Sequence, residues 1–174
     1  MNVRKYQEGD LMKLIPIYKK FFPVHAVFTK SDEEIMKHLE KMKEKGEFLI
    51  AEDEGKVKGG LVLVKHNIDG HIRAELKRIA AKTPVRKIMT ELVLAAEKEV
   101  GKGKIELKIA ESEKVGPSLF KKLGYKVEGK LTSHYRPGEL CYVLGKSVGE
   151  EISEAPKEAA VKEEIPETSE EVPQ

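Results

Sequence analysis

Leu76-Lys77-Arg78-Ile79-Ala80-Ala81-Lys82-Thr83-Pro84-Val85 is the stretch that decides how this chain folds. Just before it, Ile72, Ala74 and Leu76 alternate with Arg73, Glu75 and Lys77, the period-two pattern of a strand with one covered face. The next apolar residue is Ile79, so the phase slips by one around Lys77-Arg78, and a β-bulge is the usual cause of such a slip. Thr83-Pro84 then predicts the start of a helix, with Thr83 as cap and proline at the first helical position, where no amide is needed. Val85, Ile88, Met89, Leu92, Ala96 and Val100 keep one apolar face as far as Gly101.

Working outward, Ile105, Leu107 and Ile109 alternate with charges as another strand, and Pro117 to Leu123 is a short helix stopped by Gly124. Tyr125 to Glu128 and Leu140 to Leu144 read as two more strands. On the N-terminal side, Asn2 to Tyr6 is a short strand, and Asp10 is expected to cap a helix carrying Leu11, Leu14, Ile15, Tyr18 and Phe22. Pro16 lies inside that helix and predicts a kink or an early break. Ser31 and Glu34 have capping-box spacing ahead of a second helix that buries Ile35, Leu39 and Met42. Phe48–Ala51 and Leu61–Val64 are apolar runs joined by Glu52-Asp53-Glu54-Gly55, a hairpin of covered strands, and Asn67-Ile68-Asp69-Gly70 turns into the next strand. The order is β-α-α-β-β-β-α-β-α-β-β, an α/β (α+β) fold with a mixed central sheet of six to seven strands flanked by about four helices.

Composition divides the chain into a body, residues 1–146, and an appendage, residues 147–174. From Gly149 to the end there are nine glutamates, two lysines, three prolines and no aromatic residue, a net charge of −7. Such a segment cannot bury enough apolar surface to offset the entropy of ordering it, and it is expected to be a disordered acidic tail. The whole chain carries +2, which leaves about +9 on the body, suited to an anionic partner or simply to a solvated lysine surface. The basic body lacks the aromatic–basic interleaving of single-strand binders, which argues against nucleic acid as a partner. Charged residues make up 36% of the chain and Asn and Gln are scarce, a profile that leans towards a thermophile. The single Cys141 excludes an internal disulfide and a cysteine-built metal site. His66 and His71 are read as facing opposite sides of their strands, so no metal is expected. There is no membrane-length apolar run and no signal-like start, so a cytoplasmic protein is expected.

The element order and the bulge-to-helix junction resemble the GNAT superfamily of acyl-CoA-dependent N-acetyltransferases, over roughly Val3 to Lys146. The resemblance implies acetyl-CoA as co-substrate and an amine acceptor, on a small molecule or a protein. In that family a glycine-rich loop and the first turn of the following helix hold the CoA pyrophosphate, and the motif aligns here with Pro84-Val85-Arg86-Lys87-Ile88-Met89. Pro84 stands for the leading Arg or Gln, Lys87 for a glycine, and Met89 for a second small residue. The family's helix-four motif falls on Glu113, Gly116, Phe120, Gly124 and Tyr125, and only its Gly-aromatic end is kept. Phe120 takes the place of a tyrosine that often protonates the departing thiolate.

The resemblance therefore implies a cofactor site of Ile79, Ala80, Ala81, Val85, Arg86, Lys87, Ile88, Met89 and Phe120. Glu75 on the bulged strand is the candidate base, with Arg73 and Lys77 beside it lowering its pKa and His71 and His134 as alternatives, and Tyr135 is a candidate acid. Phe22, His25 and Phe28 between the first helices, and His134 between the last strands, are candidate walls of an acceptor pocket, although core packing accounts for most of the aromatic connector. The competing reading is a catalytically silent GNAT-fold module with a binding or regulatory role. The sequence leaves the oligomeric state open, a homodimer included.

Overall fold

The structure, a computed structural model, describes residues 1–113 and 115–149. The acidic-tail expectation lies outside the described residues. Eleven elements follow one another: β1 (Asn2–Lys5), α1 (Asp10–Phe21), α2 (Asp32–Lys45), β2 (Glu47–Asp53), β3 (Lys56–Ile68), β4 (His71–Ala81), α3 (Val85–Val100), β5 (Gly103–Ala110), α4 (Gly116–Lys122), β6 (Lys126–Thr132) and β7 (Leu140–Val148). They build one seven-stranded sheet in the order β1-β2-β3-β4-β5-β7-β6. Neighbouring strands are antiparallel except β4 and β5, which run parallel.

Two apolar layers cover the sheet. Leu49, Leu61, Leu76, Ile79 and Ala81 face α3 and α4, while Phe48, Ile50, Val62, Val64 and Ala80 face α1 and α2. Strands with apolar residues on both faces read as continuous apolar runs, as β2 and β3 do. Glu54-Gly55 and Asp69-Gly70 turn the two hairpins, each with both residues at positive φ (50° and 71°, 52° and 85°), the twist that joins antiparallel strands tightly. The register also places His66 opposite Arg73 and Ile68 opposite His71, so His66 and His71 share a face, contrary to expectation. Among the described residues no three of His, Cys, Asp and Glu are grouped to hold a metal. No described helix is long and apolar enough to cross a membrane.

Three other local expectations are corrected. Asp10 does not cap α1: Gly9 occupies that position, and the Asp10 carboxylate, 1% exposed, accepts from Arg4 at 2.6 and 3.1 Å and from the Gln7 amide at 2.8 Å. A guanidinium brought over by β1 outcompetes the helix's own amides for it. The helix also runs unbroken through Pro16, which lies on its exposed face, so the carbonyl its ring leaves unpaired sits on the water side. Finally, Pro84 rather than Thr83 occupies the N-cap position of α3, no side chain caps the helix, and Val85 is its first residue. The Ser31–Glu34 capping box of α2 forms as its spacing predicts.

Strand β7 continues past Lys146, with Ser147 and Val148 paired to Lys104 and Gly103, and Val148 is 8% exposed. A chain ending at Lys146 is therefore expected to be less stable than one ending at Gly149, by on the order of 1–3 kcal/mol for the lost valine burial and ladder bonds. Denaturant midpoints of the two truncations check this, and coincident curves would contradict it.

Candidate active site

The site is built where β4 and β5 part. They pair only at Arg73–Lys104, Ala74–Ile105 and Glu75–Glu106. Beyond Glu75, β4 stays on β3 while β5 stays on β7, and a V-shaped split opens between them. The bulge lies on its β4 wall: Val62 pairs with Lys77 and Gly60 with Ala80, leaving Arg78 and Ile79 opposite Leu61. The predicted phase slip is this bulge, with Ala74, Leu76, Ile79 and Ala81 all in one core layer.

Pairing then decides where the backbone donors point. The Lys82 amide donates to the Lys58 carbonyl at 2.7 Å, and alternation turns Ala80 the same way, towards β3. Ile79 and Ala81 consequently aim their N–H and C=O groups into the split. Of the expected cofactor residues, Ala80 thus offers no backbone donor, and its side chain is buried in the layer under α1 and α2.

At the end of the split stands the first turn of α3. The Ile88 amide bonds to the Pro84 carbonyl at 3.2 Å, so the free first-turn donors are those of Val85, Arg86 and Lys87, and Ile88 is not among them. Ile88 and Met89 are 1% and 4% exposed and belong to the core, so the methionine takes no room from the helix end. The Arg86 guanidinium donates to Ser118 of α4 at 3.2 Å, linking the two sides of the split's mouth. Lys87 is exposed, and it adds a small contribution to the lowering of the Asp53 pKa that the Met1 ammonium at 3.0 Å chiefly causes. Phe120 is 2% exposed and packs edge-on against Tyr125 at 5.7 Å, so its ring is core structure.

Three loops converge on the same end of the sheet. The α1–α2 connector brings Phe22, His25 and Phe28, stacked on Tyr18 of α1, with Phe28 4.9 Å from Tyr18 and 5.1 Å from His25. Phe28 is 2% exposed and serves the core as expected, whereas Phe22 and His25 are half-buried. The Arg78 guanidinium sits 5.7 Å over the Phe28 ring. Burial first, then the charges of Arg78, His38 and Arg136, pull His25 down to about 4, so it is neutral near pH 7. Its Nδ1 accepts from the Val27 amide at 3.2 Å.

The β6–β7 loop brings Tyr135. Arg136 bonds to Glu139 at 2.7 Å and to Ser112 at 3.1 Å, and Ser112 also bonds to Glu139, tying this loop to the one after β5. Tyr135 is 49% exposed, and burial of its remainder, with Cys141 and Glu113 nearby, pushes the phenol up to about 12, so it stays a proton donor. His134 is exposed and stacks edge-on against Tyr135 at 4.6 Å.

The loop after β5 brings Glu113. Burial raises its pKa above the usual glutamate value against a backbone hydrogen bond at Ala110, Glu139 adds to the rise, and Arg136 and Arg78 oppose it. Glu75 behaves in the opposite way. Lys77 at 2.8 Å holds it low against a smaller burial effect, with His66 at 3.6 Å and Arg73 at 3.7 Å adding to the shift. Its charged partners are thus strand neighbours rather than members of the loop cluster. Arg78, Glu113, Tyr18, His38 and Arg136 belong to that cluster, and sequence reasoning did not place them there. The one sequence signal was the phase slip, which marked Arg78 as the bulged residue.

No family model matches the sequence, and no curated protein matches it. Solved structures do. An aminoglycoside 6'-acetyltransferase type Ii superposes with TM-score 0.70 at 21% identity, over 84% of this chain and 97% of the other. The ribosomal-protein-S18-alanine N-acetyltransferase of Escherichia coli gives 0.69 at 14% identity, over 90% and 99%. An aminoglycoside 6'-N-acetyltransferase complexed with coenzyme A gives 0.65 at 18%, over 84% and 97%. The chain thus has the fold of the GNAT acetyltransferases.

Proposed function

We propose that the protein is an N-acetyltransferase that takes acetyl-CoA in the β4–β5 split and an amine at the loop cluster above it. The observation that carries this reading is the split itself: a strand edge with main-chain groups aimed inward, continued by three free amides at a helix start. Anions and amide-rich ligands bind such an edge through the backbone, and the helix dipole favours phosphate at α3. The donor set fits even without the motif's glycines, because Met89 is turned into the core and the residue-87 amide is free whatever its side chain. When bound, acetyl-CoA supplies a thioester whose carbon–sulfur bond breaks as the acceptor's carbon–nitrogen bond forms.

The chain's own part follows from the geometry. The Ile79 amide, next to the bulge, supports developing negative charge on a carbonyl oxygen placed in the split. Glu113 takes the proton the acceptor ammonium must lose, since burial makes it a stronger base than Glu75, which Lys77 holds low. Tyr135, with its raised pKa, is the donor for the departing thiolate, a role the buried Phe120 has no hydroxyl to perform. Phe22 and His25 form an apolar wall for the acceptor.

Thiol release from acetyl-CoA, followed across a panel of primary amines, tests the activity; amine-dependent release is expected, and none with any amine would sink it. Lys87→Glu is expected to weaken acetyl-CoA binding several-fold at low salt, with the effect shrinking at high salt. Equal affinities at low salt would remove the Lys87 ammonium from the site.

A further inference from the structure

Arg78 stands in a conformation that its residue type disfavours. Its φ is 53°, the left-handed region, where a β-bulge favours glycine because a side chain crowds the backbone. Such strain persists where the surroundings hold it, and it gathers at binding sites. The side chain held there is a cation that runs into the α1–α2 face of the sheet, over Phe28 at 5.7 Å.

No carboxylate among the described residues lies within ion-pairing distance of that cation. Among the described residues its buried Nε makes no hydrogen bond, and only the weaker pull of more distant groups, Tyr135, Tyr18 and Glu113, opposes the cost of its burial. Two neutral polar atoms on side chains that share Phe28 with it, the Tyr18 hydroxyl and His38 Nε2, are also buried without a partner among the described residues. Native proteins leave few buried polar atoms unsatisfied, and these three belong to side chains that all pack on the Phe28 ring, a grouping that an anionic ligand would satisfy. A planar guanidinium meets a carboxylate through paired hydrogen bonds, and a phenol and an imidazole N–H add further donors to the same anion.

The other wall complements this. Glu113 lies close enough to Arg78 for the two charges to act on each other without pairing directly. The ammonium of a small dipolar molecule would face Glu113 and the split, and its carboxylate would face Arg78. A polycationic amine meets the opposite situation, with Arg78 and Arg136 both repelling it.

We propose that Arg78 is the specificity-determining residue of the acceptor pocket, binding the carboxylate of an amino-carboxylate acceptor such as a free amino acid. The proposal rests on the acetyl-transfer reading and names its substrate class. The left-handed backbone at Arg78 delivers its cation to the Phe28 ring beside the split.

The test compares glycine, L-leucine and L-phenylalanine with their primary amides, which keep the ammonium and remove the carboxylate charge. Binding by calorimetry and kcat/KM with acetyl-CoA are both measured on the full chain. An acid-over-amide preference of roughly 10- to 100-fold is expected, the worth of a charge-assisted hydrogen bond to a buried partner. In Arg78→Gln the preference is expected to fall within about twofold, and in Arg78→Lys to survive in part. Arg78→Gly serves as the second neutral variant, because glycine accepts the bulge without strain and keeps the fold. Acids and amides bound alike, no acid bound at all, or a preference that persists in both neutral variants would overturn the proposal. Acetyl-CoA titrated into the same samples separates the two readings. Normal acetyl-CoA binding without acid preference defeats only the acceptor inference, whereas acid preference without acetyl-CoA binding defeats only acetyl transfer.

Discussion

Glu113→Gln is expected to lower kcat by about 10²- to 10⁴-fold while leaving acetyl-CoA affinity within a factor of two, the range seen when a positioned proton acceptor is removed. Glutamine keeps the side chain's shape but cannot take up a proton, so the loss isolates the base role. The wild-type pH profile should show the same group. The active form is the carboxylate, so kcat/KM rises with pH as Glu113 ionises. Burial and Glu139 set that rise above an ordinary glutamate's, against the opposing pull of Arg136 and Arg78. In Glu113→Gln the limb should vanish. Glu75→Gln, by contrast, should leave it in place, because Lys77 already keeps Glu75 ionised well below that range. A full rate in Glu113→Gln with a lost limb in Glu75→Gln would return the base to the bulged strand.

The largest stability effect is expected at the junction of β1 and α1. Asp10→Ala removes a carboxylate that is 1% exposed and held by two bonds from Arg4, leaving a guanidinium that is 17% exposed with the Glu52 carboxylate and the Lys5 carbonyl. Breaking a buried pair from one side costs about 3–5 kcal/mol, and the Glu52 contact, with its carboxylate 31% exposed, holds the loss towards the lower figure. Burial alone would raise the Asp10 pKa; the Arg4 bonds, the Gln7 amide and the nearby charges reverse this and lower it. A folded-state pKa below the unfolded one stabilises the protein above the unfolded value of about 3.9, and that contribution is lost as pH falls through the folded value. Chemical denaturation from pH 7 downward should therefore show wild type and Asp10→Ala converging in acid. A constant gap across that range would mean the pair contributes through packing rather than charge.

Much of the fold was legible because its signals are local. The order of the eleven elements follows from periodicity and turn residues, and the bulge from one misplaced apolar residue, Ile79. The site was less legible because its members are brought together by tertiary contacts. Arg78 is visible as the bulged residue, but that its guanidinium lands on Phe28 depends on where α1 and α2 pack. Glu113 falls on the first position of the helix-four motif without keeping its residue, so the sequence assigned it no role, and the Arg136–Ser112–Glu139 bonds show that two loops meet there. Asp10 reads as a helix cap until β1 delivers Arg4. Lys87 and Met89 read as departures from a glycine motif, but the backbone amides, which no side-chain pattern records, keep the helix start open.

The most direct test is an amide-resolved NMR titration of the full chain with acetyl-CoA at moderate and high salt. Saturable one-to-one shifts are predicted at the amides of Ile79, Ala81, Val85, Arg86 and Lys87, surviving high salt, with Lys82, bonded to the Lys58 carbonyl, moving far less. Shifts confined to exposed lysines and abolished by salt, or no shifts at all, would contradict the account and leave the split without its ligand.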